Sequence, residues 1–185
     1  MKIYLDMDGV LADLMAGWMP YLNEVSGRNL SVEDVDMWGI EHVYGIPFSK
    51  ARKPLHRAGF WEGLPPYPGA IAFVNRLCQL GHEVYIATSP FPSDKCMWGK
   101  KMWLENHLGF LPPSRLIILH DKHLLRGDML VDDKPENLTR FDGLSVLFNQ
   151  PWNKRLNKGL LESWYIRVSS FKEIIIIAEN YDTER

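Results

Sequence analysis

Cysteine is scarce in this chain of 185 residues, with only Cys78 and Cys96. Neither stands in a C-x-x-C or metal-finger spacing, which excludes a thiolate metal centre and a dithiol redox motif. Cys78 falls in a helical apolar pattern and reads as a small core residue. Both read as free thiols of a reducing compartment. Long apolar runs are missing too. The longest, residues 174–178, falls far short of the roughly 20 residues a membrane-crossing helix needs. There is no surplus of positive charge. Lys and Arg total 21 against 23 Asp and Glu, for a net charge of −2, which argues against grip on a nucleic-acid polymer through its phosphates. Internal repeats and low-complexity stretches are absent. The first apolar run begins at Lys2 and leaves no room for a secretory leader before it. The expectation is a cytoplasmic protein with no membrane partner and no nucleic-acid polymer as ligand.

What is present is ordinary in amount, with 46% hydrophobic and 24% charged residues, and informative in order. The length suits one domain with room for a small inserted subdomain. Residues 2–6 form a short apolar run ending in carboxylates. Residues 11–25 carry apolar side chains at helical spacing, with Gly27 as a stop. Residues 27–68 are rich in turn formers and aromatics, with short helices expected at 32–37 and 49–57. Clean alternation follows. Helices are expected at 70–80 with Gly81 as cap, and at 95–108 capped by Gly109. Strands are expected at 83–88, 116–119, 129–132, 145–148 and 164–168. Ser170 and Glu173 form a capping box that opens a last helix to about residue 180. Strands alternating with helices give an α/β fold, a Rossmann-like parallel sheet sandwiched by helices. The irregular stretch after the first strand predicts a small helical cap over residues 14–67, with residues 1–13 and 68–185 as the core.

In such sheets ligands bind at the carboxyl ends of the strands, and those ends carry a consistent set of groups. The first strand ends in Asp6-Met7-Asp8-Gly9, the second in Thr88-Ser89-Pro90. Asp121-Lys122 follows the third, and the fourth ends in Asp132-Asp133-Lys134. A carboxylate can attack phosphorus, and a second carboxylate two residues on can move the proton of the leaving alcohol. Crowded carboxylates repel unless a cation sits among them, and oxygen-only ligands beside a phosphate favour Mg²⁺. Lysine and hydroxyls can stabilise charge on phosphoryl oxygens.

These four motifs, in this order, resemble the haloacid dehalogenase superfamily over residues 1–149. DMDGVLAD, PPYPGA, ATSP, LHDK, LVDDKPENL and VLFNQPWN are together similar to the 5'(3')-deoxyribonucleotidases. The resemblance implies a Mg²⁺-dependent phosphomonoesterase acting on deoxyribonucleoside monophosphates through an aspartyl-phosphate. It implies Asp6 as nucleophile and Asp8 as acid and base. Thr88, Ser89, Lys122 and Lys100 would face the phosphate, with Lys101 an adjacent alternative to Lys100. Asp6, Asp133 and the carbonyl of Asp8 would ligate Mg²⁺, with Asp132 in support. Two positions depart from the family pattern. Lys134 stands where Arg is frequent, and Leu14 where an aromatic is expected.

The substrate expected is a small phosphomonoester, a deoxynucleotide first and a sugar phosphate second, and a homodimer is allowed. A non-catalytic phosphate-binding protein on the same scaffold is the reading from another class, because fold alone does not fix function. Each residue also has a plain structural role open to it. Asp6 and Asp8 could cap a turn, Asp132 and Asp133 could be a solvated turn before Pro135, and Thr88 and Ser89 could be turn formers. Trp38 and Trp61 are the candidates for an aromatic wall against a base, although cap aromatics are more often core.

Overall fold

The computed structural model describes residues 1–154 and 164–181. Six strands form one sheet: β1 (Lys2–Leu5), β2 (Glu83–Thr88), β3 (Leu116–Ile118), β4 (Met129–Asp132), β5 (Leu144–Phe148) and β6 (Ile166–Val168). The order is β3-β2-β1-β4-β5-β6 and every pairing is parallel. β1 is flanked on both sides, with Ile3 opposite Val84 and Met129. After Lys2 its residues are apolar and buried because a parallel strand is covered on both faces. Successive side chains take opposite faces. Ile3 and Leu5 join a large core with Phe73, Val84, Val131 and Ile174. Tyr4 joins a smaller one with Leu130, Leu138 and Leu147.

The helices are α1 (Leu14–Ser26), α2 (Ile40–Tyr44), α3 (Phe48–Ala51), α4 (Ala70–Gln79), α5 (Asp94–His107), α6 (Pro135–Leu138) and α7 (Phe171–Tyr181). α4 and α7 pack together on the larger core, where Phe171 stacks on Phe73 at 4.6 Å and on Phe148 at 5.2 Å. At the start of α7 one half of the expected capping box is present, the Glu173 amide donating to Ser170 Oγ at 3.4 Å, while the Glu173 carboxylate accepts from the Ser170 hydroxyl at 2.6 Å and from the Ser169 amide at 3.2 Å. No helix among the described residues is long and apolar enough to cross a membrane.

Four details depart from the sequence-based expectation. The 49–57 helix splits into α3 and a 3₁₀ turn, Lys53–His56. Pro54 lacks an amide donor and disfavours helical backbone at Lys53. The 32–37 helix is a single 3₁₀ turn, Val32–Asp34, in which the Asp34 carboxylate folds back onto the Ser31 amide at 2.8 Å. α2 was not expected, because five residues carry too little periodicity to register. Gly109 is not a left-handed cap. α5 closes through the Leu108 amide on the Leu104 carbonyl at 2.7 Å. Gly109 is instead needed for space, since a Cβ there would lie 2.9 Å from the Glu105 carbonyl oxygen.

The chain leaves the sheet and returns to it through a narrow neck. The Asp13 amide donates to Pro65 and the Tyr67 amide to Leu11, both at 2.8 Å, with a bridge between Ala12 and Pro66. Between these points α1, α2, α3 and the turns after them lie over the carboxyl end of β1. Indole N–H groups pin this segment. Trp18 donates to Ala51 at 2.8 Å, Trp61 to Leu55 at 2.9 Å, and Trp103 of α5 to Leu64 at 2.8 Å.

Candidate active site

Asp6 is the residue after β1, and its amide still donates to Val131 at 2.9 Å. The backbone beyond it must turn sharply. Leu11 and Ala12 both donate to the Met7 carbonyl, and Gly9 adopts φ +80°. A Cβ on Gly9 would also lie 2.4 Å from Asp133 Oδ2. Glycine is thus required twice, for its conformation and for close approach.

Lys122 is buried between two carboxylates. Its Nζ lies 2.7 Å from Asp6 Oδ1 and 2.5 Å from Asp132 Oδ2. Burial alone would lower its pKa, but the charges of Asp132 and Asp6 outweigh that and hold the ammonium above its ordinary value. Asp132 also accepts from the Lys134 amide at 2.8 Å and from Asn137 Nδ2 at 3.0 Å on both oxygens. Burial raises the Asp132 carboxyl to about 6, with Lys122 opposing. Among the described residues no ion pair engages Asp133. Burial, then the charges of Asp132 and Asp6, push it well above the usual carboxylate range.

Lys100 serves the other carboxylate. Its Nζ donates to Asp8 Oδ2 at 2.5 Å, to Thr88 Oγ1 at 2.7 Å and to the Ser89 carbonyl at 2.7 Å. Lys101 points outward and pairs with Glu105, so the inward register belongs to Lys100. Burial raises the Asp8 pKa against the pull of Lys100. Asp8 Oδ1 is buried and has no hydrogen-bond partner among the described residues. Thr88, Lys100 and Lys122 are fully buried behind the carboxylates.

A cavity of about 370 Å³ opens above this cluster, within the roughly 300–1,000 Å³ typical of small-molecule sites. Its floor includes Asp6, Asp8, Ser89 and Asp133, and its opposite wall Trp18, Arg52 and Leu55. Trp38 and Trp61 both line it. Trp61 is only 4% exposed, with its ring against Phe60 and Phe91. Trp38 is half-buried, and its ring lies 5.2 Å from that of Trp152.

Several of these residues escaped the sequence reading. Arg52, His120, Lys134 and Asn137 also line the cavity. Arg52 carried no signal at all. The NQPWN segment marked a resemblance without a role, and it proves to brace the floor. Gln150 Nε2 donates to the Gly9 carbonyl at 2.6 Å. Trp152 Nε1 donates to Asp133 Oδ2 at 2.7 Å, and Asn153 Nδ2 to the Asp133 carbonyl at 2.7 Å.

The donor set fits a hard divalent cation. Ligand atoms of Asp6, Asp132 and Asp133 lie within 4.8 Å of one another, all are oxygens, and among the described residues Asp133 is the member of the three in no ion pair. Two carboxylates with separate lysines at one strand end are equipped for nucleophilic attack and for proton transfer.

Comparison with known proteins agrees with this chemistry. Residues 1–180 match the family model described as 5' nucleotidase, deoxy (pyrimidine), cytosolic type C protein. The 5'(3')-deoxyribonucleotidase of Bacillus subtilis (strain 168) is 27% identical over 175 residues, covering 93% of this chain and 95% of its own. Two solved structures share the fold. The D,D-heptose 1.7-bisphosphate phosphatase from B. bronchiseptica, complexed with magnesium and phosphate, aligns with a TM-score of 0.58 at 14% identity over 100% of both chains. A haloacid dehalogenase-like hydrolase from Streptococcus pneumoniae aligns with a TM-score of 0.58 at 11% identity, over 95% of this chain and 97% of its own.

Proposed function

We propose, since the chain belongs to the deoxy (pyrimidine) cytosolic type C family of 5' nucleotidases, that it hydrolyses deoxyribonucleoside monophosphates with Mg²⁺ through an aspartyl-phosphate on Asp6. The chain is a phosphoric monoester hydrolase of haloacid dehalogenase fold, and its substrate is a small nucleotide. One observation supports the finer reading. Asp6 and Asp8 stand two residues apart at the end of the central strand, each held by its own buried lysine.

In this reading the Asp6 carboxylate attacks phosphorus and the bond from phosphorus to the nucleoside oxygen breaks. Asp8 gives its proton to that leaving oxygen. Its burial raises its pKa and so favours the protonated form. In the second step Asp8 takes a proton from water. The water oxygen bonds to phosphorus, the Asp6–phosphorus bond breaks, and phosphate leaves. Lys122 and Lys100 hold the two carboxylates in place, and Ser89 and Thr88 lie beside the phosphoryl position. Asp6, Asp133 and the Asp8 carbonyl would hold Mg²⁺, with Asp132 in support; when bound it would offset the carboxylate charge and that of the phosphoryl oxygens. Residues 14–67 would act as a cap, with Trp38 and Trp61 on the base.

The test is phosphate release from dUMP, dTMP, dGMP, UMP and a panel of sugar phosphates, with Mg²⁺ and with EDTA. Release from deoxynucleotides that EDTA abolishes is the expected result. Release from sugar phosphates alone would keep the chemistry and remove the nucleotidase reading.

The brace on Asp133 gives a second expected result. Trp152→Phe keeps a ring against Trp38 and removes the N–H that fixes one carboxylate oxygen. The Mg²⁺ dissociation constant, read by calorimetry without substrate, should rise on the order of 10-fold or more, as second-shell losses commonly do. An unchanged constant would reduce Trp152 to a packing residue.

A further inference from the structure

The turn that follows β5 is fastened in two directions. Towards the floor, Gln150 Nε2 donates to the Gly9 carbonyl at 2.6 Å, and Asn153 Nδ2 to the Asp133 and Phe148 carbonyls at 2.7 and 2.8 Å. Trp152 is 4% exposed, and its N–H donates to Asp133 Oδ2 at 2.7 Å. Asp133 is in no ion pair among the described residues, so the orientation of its carboxylate rests on that bond. Towards residues 31–44 the same turn makes two further contacts. The Trp38 ring lies 5.2 Å from the Trp152 ring at an angle of 54°, within the range of a favourable aromatic pair. Lys154 Nζ lies 2.7 Å from Glu33 Oε2. That ion pair is exposed on both sides and contributes little, so the indole pair is the firmer tie.

Trp38 is held less firmly than its partner. It is half-buried and lines two cavities, the main one and a second of about 310 Å³ that Trp152 also lines. Its N–H has no hydrogen-bond partner among the described residues, and Trp152 is its one aromatic neighbour among them. A ring with open space beside it can lift away. Trp152 then loses the ring that backs it, and the freedom it gains passes through its N–H to one Asp133 oxygen.

We propose that Trp38 is a positioning residue for the metal site, acting through Trp152 on Asp133. The seating of residues 31–44 on Trp152 and the binding of Mg²⁺ on the floor then favour each other, because coupling between two sites is reciprocal. This rests on the Mg²⁺ reading of the proposed function and deepens it: the cation steadies residues 31–44 before any substrate arrives.

The test needs no substrate. Calorimetry compares the Mg²⁺ dissociation constant of the native chain with that of Trp38→Leu, which should be raised about 5-fold or more, the lower end of couplings between separate sites. A residue that only packed residues 31–44 would lower Tm and leave the constant where it was. Amide hydrogen exchange, followed by mass spectrometry, reads the opposite direction. It compares the native chain with Trp152→Phe, which keeps a ring against Trp38 and lacks the N–H. Saturating Mg²⁺ should slow exchange over residues 31–44 by a similar factor in the native chain and leave it unchanged in Trp152→Phe. This second measurement stands even if Trp38→Leu does not fold. An unchanged constant in Trp38→Leu overturns the coupling and leaves the metal site standing. So does exchange that Mg²⁺ leaves unaltered in the native chain, or slows equally in Trp152→Phe. A native chain that binds no Mg²⁺ overturns both the coupling and the Mg²⁺ reading.

Discussion

Asp6→Asn should abolish turnover, with kcat falling at least on the order of 10⁴-fold, as removal of a catalytic nucleophile does elsewhere. The substitution is nearly isosteric, and Lys122 keeps its bond to Asp132 at 2.5 Å, so the cluster stays assembled. What disappears is the oxygen nucleophile: an amide cannot form the acyl phosphate that splits one difficult displacement into two easier ones. The measurement is phosphate release from dUMP together with mass spectrometry of the rapidly quenched protein. The native chain should show a phosphorylated form during turnover and the variant none. A variant that retained native rates would place the nucleophile elsewhere, with water the obvious substitute.

Removing the cation should reverse the way stability depends on pH. Asp132 is raised to about 6 and Asp133 and Asp8 are raised as well, each from an ordinary value of 3.8 and each by burial first. A raised carboxyl binds more protons folded than unfolded. Its stabilising contribution is therefore complete below about 3.8 and is lost as pH rises through the folded values. In EDTA the protein should lose stability between mildly acidic and neutral pH. Lys122 is also raised, but from 10.5, so its contribution stays constant across that window. The proposed Mg²⁺ would bind the ionised form and should offset the loss, most strongly at the higher pH. Asp133→Asn isolates the effect. Its Tm in EDTA should exceed that of the native chain at neutral pH and fall less steeply, while the rise in Tm on adding Mg²⁺ and the activity should both vanish. A variant less stable than the native chain in EDTA would mean that the cluster is not repulsive, and the case for a cation would weaken.

Much of the sheet was legible because buried parallel strands are continuous apolar runs bounded by turns, as in residues 83–88 and 129–132. The acidic cluster was legible for a related reason. Polar residues immediately after such runs must collect at one edge, so Asp6, Asp8, Asp132 and Asp133 are neighbours by topology alone. The segment of residues 14–67 was harder to read. Its order comes from indole-to-carbonyl bonds such as Trp18 to Ala51, which join residues far apart in sequence and leave no periodic trace. Arg52 shows the same limit. Nothing beside it in sequence marks it as a cavity residue, and only the folded chain brings it to the cavity. Trp152 and Gln150 reach back to Asp133 and Gly9 across 19 and 141 residues, beyond any pattern that short spacing can carry.

The neck has an evolutionary consequence. The chain departs at Leu11 and Asp13 and re-enters at Pro65 and Tyr67 through paired hydrogen bonds, so the ends of the excursion are fastened to each other whatever lies between. Closing a longer loop between fixed ends adds only about 0.6 kcal/mol per doubling of its length. Lineages can therefore lengthen, shorten or exchange the intervening segment while the catalytic floor keeps its geometry. Diversification of substrates on such a scaffold needs no new chemistry, only a different roof.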